Sequence, residues 1–249
     1  YGKQTYMIKK FKHMKMKYKI GSVLIGFVLV IAFAAYKIKD DNAKNKVILE
    51  AVTQSLKVNH FESKKYNDSF SKKVYELYLE RLDYNKRFLI QPDIDKLRVY
   101  RERIDDEIKN SSYSFFDLSY KLIKKGITEA EKFYPGILDE PFSFTRNEKI
   151  ELDPEKLDFA KNYDELSNRW RKYLKYRTLT KLYSLQEQQD KKKEKNDTTF
   201  EEKSFEQLEK EAREKVLKDQ EDWFHRLSKL EKADRRSLYL NAITNTYDP

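Results

Sequence analysis

The clearest helical signal in the chain is the stretch Asn67-Asp-Ser-Phe-Ser-Lys-Lys-Val-Tyr-Glu-Leu-Tyr-Leu-Glu-Arg-Leu-Asp83. Asn67 or Asp68 can accept a hydrogen bond from a backbone N–H of the first turn, which is how helices are capped. The apolar residues that follow recur at helical spacing and define one inward face. We therefore predict a helix from about Asp68, with these residues facing a core: Phe70, Val74, Leu77, Tyr78 and Leu82.

The composition after residue 40 extends this prediction to the whole domain. Only two glycines, Gly126 and Gly136, occur there. Sheet-rich folds and phosphate-binding loops need glycine at turns, whereas Glu, Lys, Leu and Arg favour helices. The chain has no cysteine, which excludes disulfides, thiol chemistry and cysteine-based metal sites. The predicted fold class is mainly α, a single N-terminal transmembrane or signal-anchor helix followed by an irregular multi-helix domain.

The middle of the chain predicts two long helices and a connector. Gln91-Pro92-Asp93 has Pro where helices begin, and this helix is expected to run to a break at Asn110-Ser111-Ser112. The next helix is expected to stop at Tyr134-Pro135-Gly136. Residues 141–154 alternate in polarity and are interpreted as a connector or short extended arm. The predicted inward residues are Ile94, Leu97, Ile104 and Ile108, with Arg101 at an edge, then Phe115, Leu118, Leu122 and Ala130 or Phe133.

The last third predicts three more helices around a charged segment, residues 186–203, which is interpreted as a solvated helix extension or a loop. One helix starts at about Tyr163. Capping-box patterns at Thr199-x-x-Glu202 and Ser204-x-x-Gln207 offer starts for the next. The predicted inward residues are Leu166, Trp170, Leu174, Leu179 and Leu182; Phe205, Leu208, Ala212, Val216, Trp223, Leu227 and Leu230; and Leu238, Leu240, Ala242 and Ile243. A short helical stripe also lies at Val47, Ile48, Ala51, Val52 and Leu56.

The N-terminal segment predicts the location of the protein. The first 39 residues contain nine lysines and no acidic residue. The lysines flank an apolar run from Ile20 to Ala35. Because lysine is costly to move across a bilayer, the lysine-rich side stays in the cytoplasm. We predict a basic cytoplasmic tail at 1–19, a transmembrane anchor or signal peptide at 20–38, and an extracytoplasmic helical domain at 40–249. Cleavage at about Ala34 would give a soluble periplasmic protein.

The basic charge of the chain also belongs to this segment. The chain has 52 Lys and Arg against 42 Asp and Glu, a net charge of +10. Without the nine N-terminal lysines, 43 basic and 42 acidic residues remain, a net charge of +1. A nucleic-acid-binding protein needs its basic surplus on a folded face. We therefore expect no nucleic-acid partner.

No pattern in the chain indicates catalysis or metal binding. The three histidines, His13, His60 and His225, have no ligand-like spacing. His60 alone, in Asn59-His60-Phe61, is a candidate ligand or base, and a capped or partly buried histidine is the simpler interpretation. The chain lacks the G-x-S-x-G, H-E-x-x-H and P-loop motifs. We expect no catalytic, cofactor-binding or metal-binding residue and no cofactor in this segment.

Five blocks, in order, resemble the N-terminal helical domain of tail-specific proteases, also called carboxy-terminal processing peptidases. The first two are Asn67–Asp83 and Arg87-Phe-Leu-Ile-Gln-Pro-Asp-Ile94. The third is Phe142-Ser-Phe-Thr145, similar to an F-x-F-T connector. The last two are Asp164-Glu-Leu-Ser-Asn-Arg-Trp-Arg-Lys-Tyr-Leu-Lys-Tyr176 and Asn241-Ala-Ile-Thr-Asn-Thr-Tyr-Asp-Pro249. The resemblance covers residues 47–249.

The resemblance implies a PDZ domain and a Ser–Lys protease core beyond residue 249, with no catalytic residue here. The full-length protein would be a bacterial serine endopeptidase that recognises envelope proteins by their C-terminal tails and degrades or processes them. This segment would form its helical platform in the periplasm, anchored in the inner membrane, and could dock a helical-repeat lipoprotein adaptor. The alternative is a single-pass anchored scaffold, or a subunit of an envelope complex, with no enzymatic activity.

Overall fold

The computed structural model describes residues 41–59, 65–195 and 201–247. This part is mainly helical, as the composition predicts, and its only strand-type pairing is an isolated parallel bridge between Ile90 and Ala160. The helices, in chain order, are α1 (Asp41–Asn59), α2 (Asp68–Leu82), α3 (Gln91–Arg98), α4 (Ile104–Lys109), α5 (Ser114–Glu131), α6 (Phe133–Asp139), α7 (Tyr163–Glu194), α8 (Phe205–Ser228) and α9 (Lys232–Tyr247).

The predicted N-terminal tail and membrane segment lie outside the described residues, so the anchor stays a prediction. Among the residues that the structure does describe, no helix is both long and apolar enough to span a bilayer.

The described residues divide into two compact units: α1, residue 65 and residues 106–112 form the first, and the described residues of 66–105 and 113–247 form the second. In the first unit, α1 contains the predicted stripe at 47–56, but its fully buried residues are Leu49 and Thr53. The Thr53 hydroxyl donates to the Leu49 carbonyl over 2.9 Å, so the polar group is satisfied inside the helix.

The second unit is built from two helix pairs joined by α5. The α2 helix packs against α9, while α7 and α8 pair in antiparallel register and enclose α6. The α5 helix is hydrogen-bonded to the pair α2–α9 through Tyr78 of α2, whose hydroxyl lies 2.8 Å from the Ser119 hydroxyl of α5. The Tyr78 ring also meets the Tyr239 ring of α9 at 5.2 Å between centroids. Edge-to-face aromatic contacts of this kind supply both burial and orientation.

The single helix predicted to begin at Gln91 is instead two helices, α3 and α4. The predicted inward residues of this stretch are confirmed, since all four are buried: Ile94, Leu97, Ile104 and Ile108. The helix nevertheless ends at Arg98. In the first turn of α4, Ser71 of α2 accepts the backbone N–H of Asp105 over 2.9 Å and donates to its carboxylate over 2.7 Å. A tertiary contact therefore caps a second helix where the sequence pattern is continuous.

The prediction that Tyr134-Pro135-Gly136 ends a helix is wrong. The chain breaks at Lys132, and these three residues lie inside α6. Pro135 occupies the first turn of α6, where a backbone N–H has no acceptor within the helix, so the proline costs nothing there.

Three predicted core residues are exposed. Leu179 is 46% exposed, because Thr178 continues the buried stripe between Leu174 and Leu182 in α7. Phe205 is 55% exposed as the first residue of α8, and Leu230 is 42% exposed because it lies beyond the end of that helix at Ser228.

The other boundaries follow the sequence closely. Asn162 caps α7, and Ser204 with Gln207 forms the predicted capping box of α8. The charged segment at 186–203 continues α7 as far as Glu194, as a solvated extension would. Residues 141–153 form no helix or strand, which confirms the connector.

Candidate functional site

A concave pocket of about 350 Å³ lies in the second unit, where residues 85–87, residues 149–158 and the first half of α7 meet. We call it the Arg87 pocket. It brings together residues far apart in the chain, and ligand pockets start at about this size.

Its first side is a loop held by the buried carboxylate of Asp83. One carboxylate oxygen accepts the backbone N–H of Arg87 over 2.9 Å; the other accepts those of Phe88 and Leu89 over 2.9 and 2.8 Å. Burial raises the pKa of Asp83, and these three N–H groups oppose that shift. Lys86 adopts a φ of 49°, a left-handed conformation that is unusual for lysine. The carboxylate therefore fixes the backbone that presents Lys86 and Arg87.

The floor of the pocket is aromatic. Trp170 of α7 is 2% exposed, and its indole N–H donates to the Arg87 carbonyl over 2.9 Å. The Arg87 guanidinium lies 4.0 Å from the centre of the Tyr173 ring and 5.8 Å from that of Trp223. Stacking on these faces orients the guanidinium without neutralising its charge.

The connector forms the opposite wall, and cationic side chains hold its carbonyl groups. The Lys86 ammonium donates to the Pro154 carbonyl over 2.9 Å and also to that of Leu157. Arg169 donates to the Asp158 carbonyl, and Lys172 to that of Lys149 over 3.3 Å. These cations therefore hold the wall in place through its carbonyl groups.

The pocket carries a surplus of positive charge. Arg169 pairs with Glu165, and Lys156 with Asp153. Within the described part of the chain, no carboxylate forms an ion pair with the other four cations of the pocket, which are Lys86, Arg87, Lys149 and Lys172. Three apolar side chains, Ile150, Leu152 and Leu157, lie beside them. Such a surface suits an anionic group carried on an apolar body. The six cations are Lys86, Arg87, Lys149, Lys156, Arg169 and Lys172, against the two carboxylates of Glu151 and Asp158.

A smaller depression of about 260 Å³ continues the Arg87 pocket past Arg87 and Tyr173. It adds Arg177 and Arg226, but Asp219 and Asp222 also line it, and Arg177 pairs with Asp219 over 2.9 Å. The excess charge is therefore concentrated in the Arg87 pocket itself.

Glu148 ties the connector to α7 just beyond the pocket. Its carboxylate lies 2.6 Å from the Lys175 ammonium and also bonds Arg171. Hydrogen bonds from Arg171, then Lys175, lower the pKa of Glu148 from 4.5 to about 2. The anchoring of the connector therefore depends on pH.

Replacing Glu148 with glutamine gives a prediction with a defined pH dependence. A lowered folded-state pKa stabilises the fold above the ordinary pKa, and this contribution is lost as pH falls through the folded value. The wild type should therefore unfold at a higher temperature than Glu148→Gln at pH 7, and the difference should shrink between pH 4.5 and pH 2. Thermal unfolding followed by circular dichroism across this range measures it. A difference that stays constant with pH would contradict the assignment.

The structure describes one of the three histidines. His225 is exposed on α8, and His13 and His60 lie outside the described residues. Among the described residues, no group of His, Cys, Asp or Glu could hold a metal ion. The expectation that the segment carries no catalytic residue stays a prediction.

The Arg87 pocket could not be found from the sequence. Its cations come from three segments spread over almost 90 residues, and the near-neutral charge after residue 40 concealed them. One signal was present: the blocks Arg87–Ile94 and Asp164–Tyr176, quoted above for their resemblance, meet through the bond from Trp170 to Arg87. The blocks Asn67–Asp83 and Asn241–Pro249 likewise pair as α2 and α9.

Comparison with known proteins agrees with these blocks. Residues 52–249 match the family model described as the tail specific protease N-terminal domain. The tail-specific protease of Haemophilus influenzae is 26% identical over 129 residues. That alignment covers 51% of this chain but only 18% of the relative.

Proposed function

Since this chain belongs to the family of tail-specific proteases through its N-terminal domain, we propose that it is the helical platform of a periplasmic serine endopeptidase. The enzyme would process or degrade envelope proteins from their C-terminal tails. This segment would be its non-catalytic part, with the PDZ domain and the Ser–Lys core in the rest of the polypeptide. The observation that carries the proposal is the family match over residues 52–249.

The proposed location rests on the N-terminal lysines. A helix at 20–38 would anchor the protein in the inner membrane, with the tail 1–19 in the cytoplasm and the helical domain in the periplasm. Cleavage near Ala34 would release the same domain into the periplasm.

The proposal includes docking of a helical-repeat adaptor. Three exposed apolar side chains of α7, Tyr176, Leu179 and Tyr183, are 39%, 46% and 65% exposed. At positions i, i+3 and i+7 they share one face of the helix, and exposed apolar faces of this kind are where partner proteins bind.

The test combines intact mass with activity on the protein isolated from its own cells. We expect a mass well above the 30.1 kDa of this chain. We also expect the protein to cleave a reporter that ends in an apolar tail and to spare the matched reporter with a charged tail. A mass near 30 kDa, with neither reporter cleaved, would favour a non-enzymatic anchored scaffold. Recovery of the protein from the membrane fraction would support a retained anchor, whereas recovery from the soluble periplasmic fraction would support cleavage near Ala34.

A further inference from the structure

We propose that the Arg87 pocket binds a carboxylate carried on an apolar chain, supplied by the C-terminal end of a protein substrate. The anionic and apolar chemistry of the ligand follows from the pocket alone. The choice of a protein tail as its source rests also on the proposed function. The pocket would thus be a second contact for the tail, separate from the catalytic part of the enzyme.

The cations of the pocket suit a carboxylate. Arg87 is stacked on Tyr173 at 4.0 Å, and Lys149 and Lys172 line the pocket without a carboxylate partner in the described part of the chain. An α-carboxylate offers two acceptor oxygens, and hydrogen bonds between such ions are about twice as strong as neutral ones. A ligand carboxylate would therefore give these three side chains an ion-pair partner.

The apolar wall suits the side chains that precede the carboxylate. Leu152 is 49% exposed and lies at the pocket beside Ile150 and Leu157. Contact with an apolar side chain of the ligand would remove this exposed leucine surface from water, which favours binding. The pocket volume of about 350 Å³ accommodates the last residues of a chain rather than a folded domain.

The two carboxylates of the pocket favour a peptide over a lipid. Glu151 and Asp158 line the pocket and are exposed, so they can accept hydrogen bonds from ligand N–H groups. A peptide carries backbone N–H donors next to its carboxylate. A fatty acid has no such donors.

The experiment is photo-cross-linking on the full-length protein. The probe is a short apolar peptide with a photoreactive side chain and a free C-terminal carboxylate; its control is the same peptide with a C-terminal amide. We expect mass spectrometry to map adducts of the free acid to residues 85–87, 149–158 or 169–173. Labelling by the amide should be at least about tenfold weaker, the loss expected when one charge-assisted contact is removed.

A charge-reversal variant tests the cations directly. The double substitution Lys149→Glu with Lys172→Glu should raise the peptide concentration for half-maximal labelling by about tenfold or more. The matched control reverses Lys124 and Lys218, two exposed lysines outside the pocket, and should change it less than about twofold. Circular dichroism checks folding. Lys149→Gln serves as a milder variant with a smaller change in the same direction.

Three results would overturn the inference. The first is the absence of adducts in these segments. The second is equal labelling by the acid and the amide. The third is displacement of the peptide by a fatty acid or by anionic phospholipid vesicles at matched concentration, which would assign the pocket to a lipid. Because labelling needs no hydrolysis, reporter cleavage without pocket labelling refutes only this inference. Pocket labelling without cleavage refutes only the proposed protease.

Discussion

Replacing Arg213 with methionine should lower the free energy of unfolding by about 3–5 kcal/mol, because the change leaves a buried carboxylate without its partner. Arg213 and Glu209 are 9% and 4% exposed. The Arg213 Nε bonds Glu209, and its Nη1 donates to the carbonyls of Leu138 and Asp139 over 2.7 and 2.8 Å. Glu209 also accepts the backbone N–H of Phe142 over 3.0 Å. One ion pair therefore attaches the end of α6 and the start of the connector to α8.

Thermal unfolding of the full chain measures this effect as a decrease of roughly 6–20 °C for a chain of this size. Lys210→Met is the matched control, since Lys210 and Glu214 form an exposed pair with the same i,i+4 spacing on the same helix. It should cost at most about 0.5 kcal/mol. The double variant Glu209→Leu with Arg213→Met should recover part of the loss, because no buried charge remains unpaired. An equal loss for Arg213→Met and Lys210→Met would show that the buried pair has no special role.

Replacing Gly126 with alanine should destabilise the fold by about 3 kcal/mol through overpacking. A Cβ at Gly126 would lie 2.3 Å from the Phe88 carbonyl oxygen and 2.8 Å from its carbonyl carbon. That carbonyl cannot move away freely, because Asp83 holds the N–H groups of Phe88 and Leu89. The clash outweighs the gain of about 1 kcal/mol that alanine gives inside a helix. Glycine is therefore required where α5 crosses the loop that carries Arg87.

Gly136→Ala is the matched control for this prediction. Nothing lies within 4 Å of a Cβ placed at Gly136 in α6, so alanine should stabilise the protein by about 0.5–1 kcal/mol. Thermal unfolding midpoints of the two variants should move in opposite directions. A Gly126→Ala protein as stable as the wild type would show that α5 and the loop do not approach so closely.

The sequence predicted helices well where local signals agreed. Ser204 with Gln207, Asn162 and Asn67 are caps in the structure, and Phe70, Val74, Leu166 and Trp170 are buried as predicted. It failed in two places. The stretch after Gln91 forms two helices, with Ser71 of α2 bonded to Asp105 at the start of the second, and Thr178 takes the core position expected for its neighbour Leu179.

Charged residues were the hardest to interpret from sequence. Glu209 and Arg213 have the i,i+4 spacing of an ordinary solvated pair, yet both are buried. Asp83 looks like a polar residue at a helix end, yet it organises the loop of the Arg87 pocket. Burial of an ion depends on which backbone donors and acceptors surround it, and sequence spacing does not encode them.

The sequence by itself determined the helical class, the caps and the family, because each rests on short-range periodicity, composition or ordered motifs; the membrane segment at 20–38 stays a prediction. Only the tertiary structure decided which charges are buried, why Gly126 must be glycine, and how cations from three distant segments form one pocket. The physical reason is the distance along the chain over which each interaction acts. Capping and amphipathicity act within a few residues, whereas desolvation, steric clash and summed charge depend on groups that folding brings together.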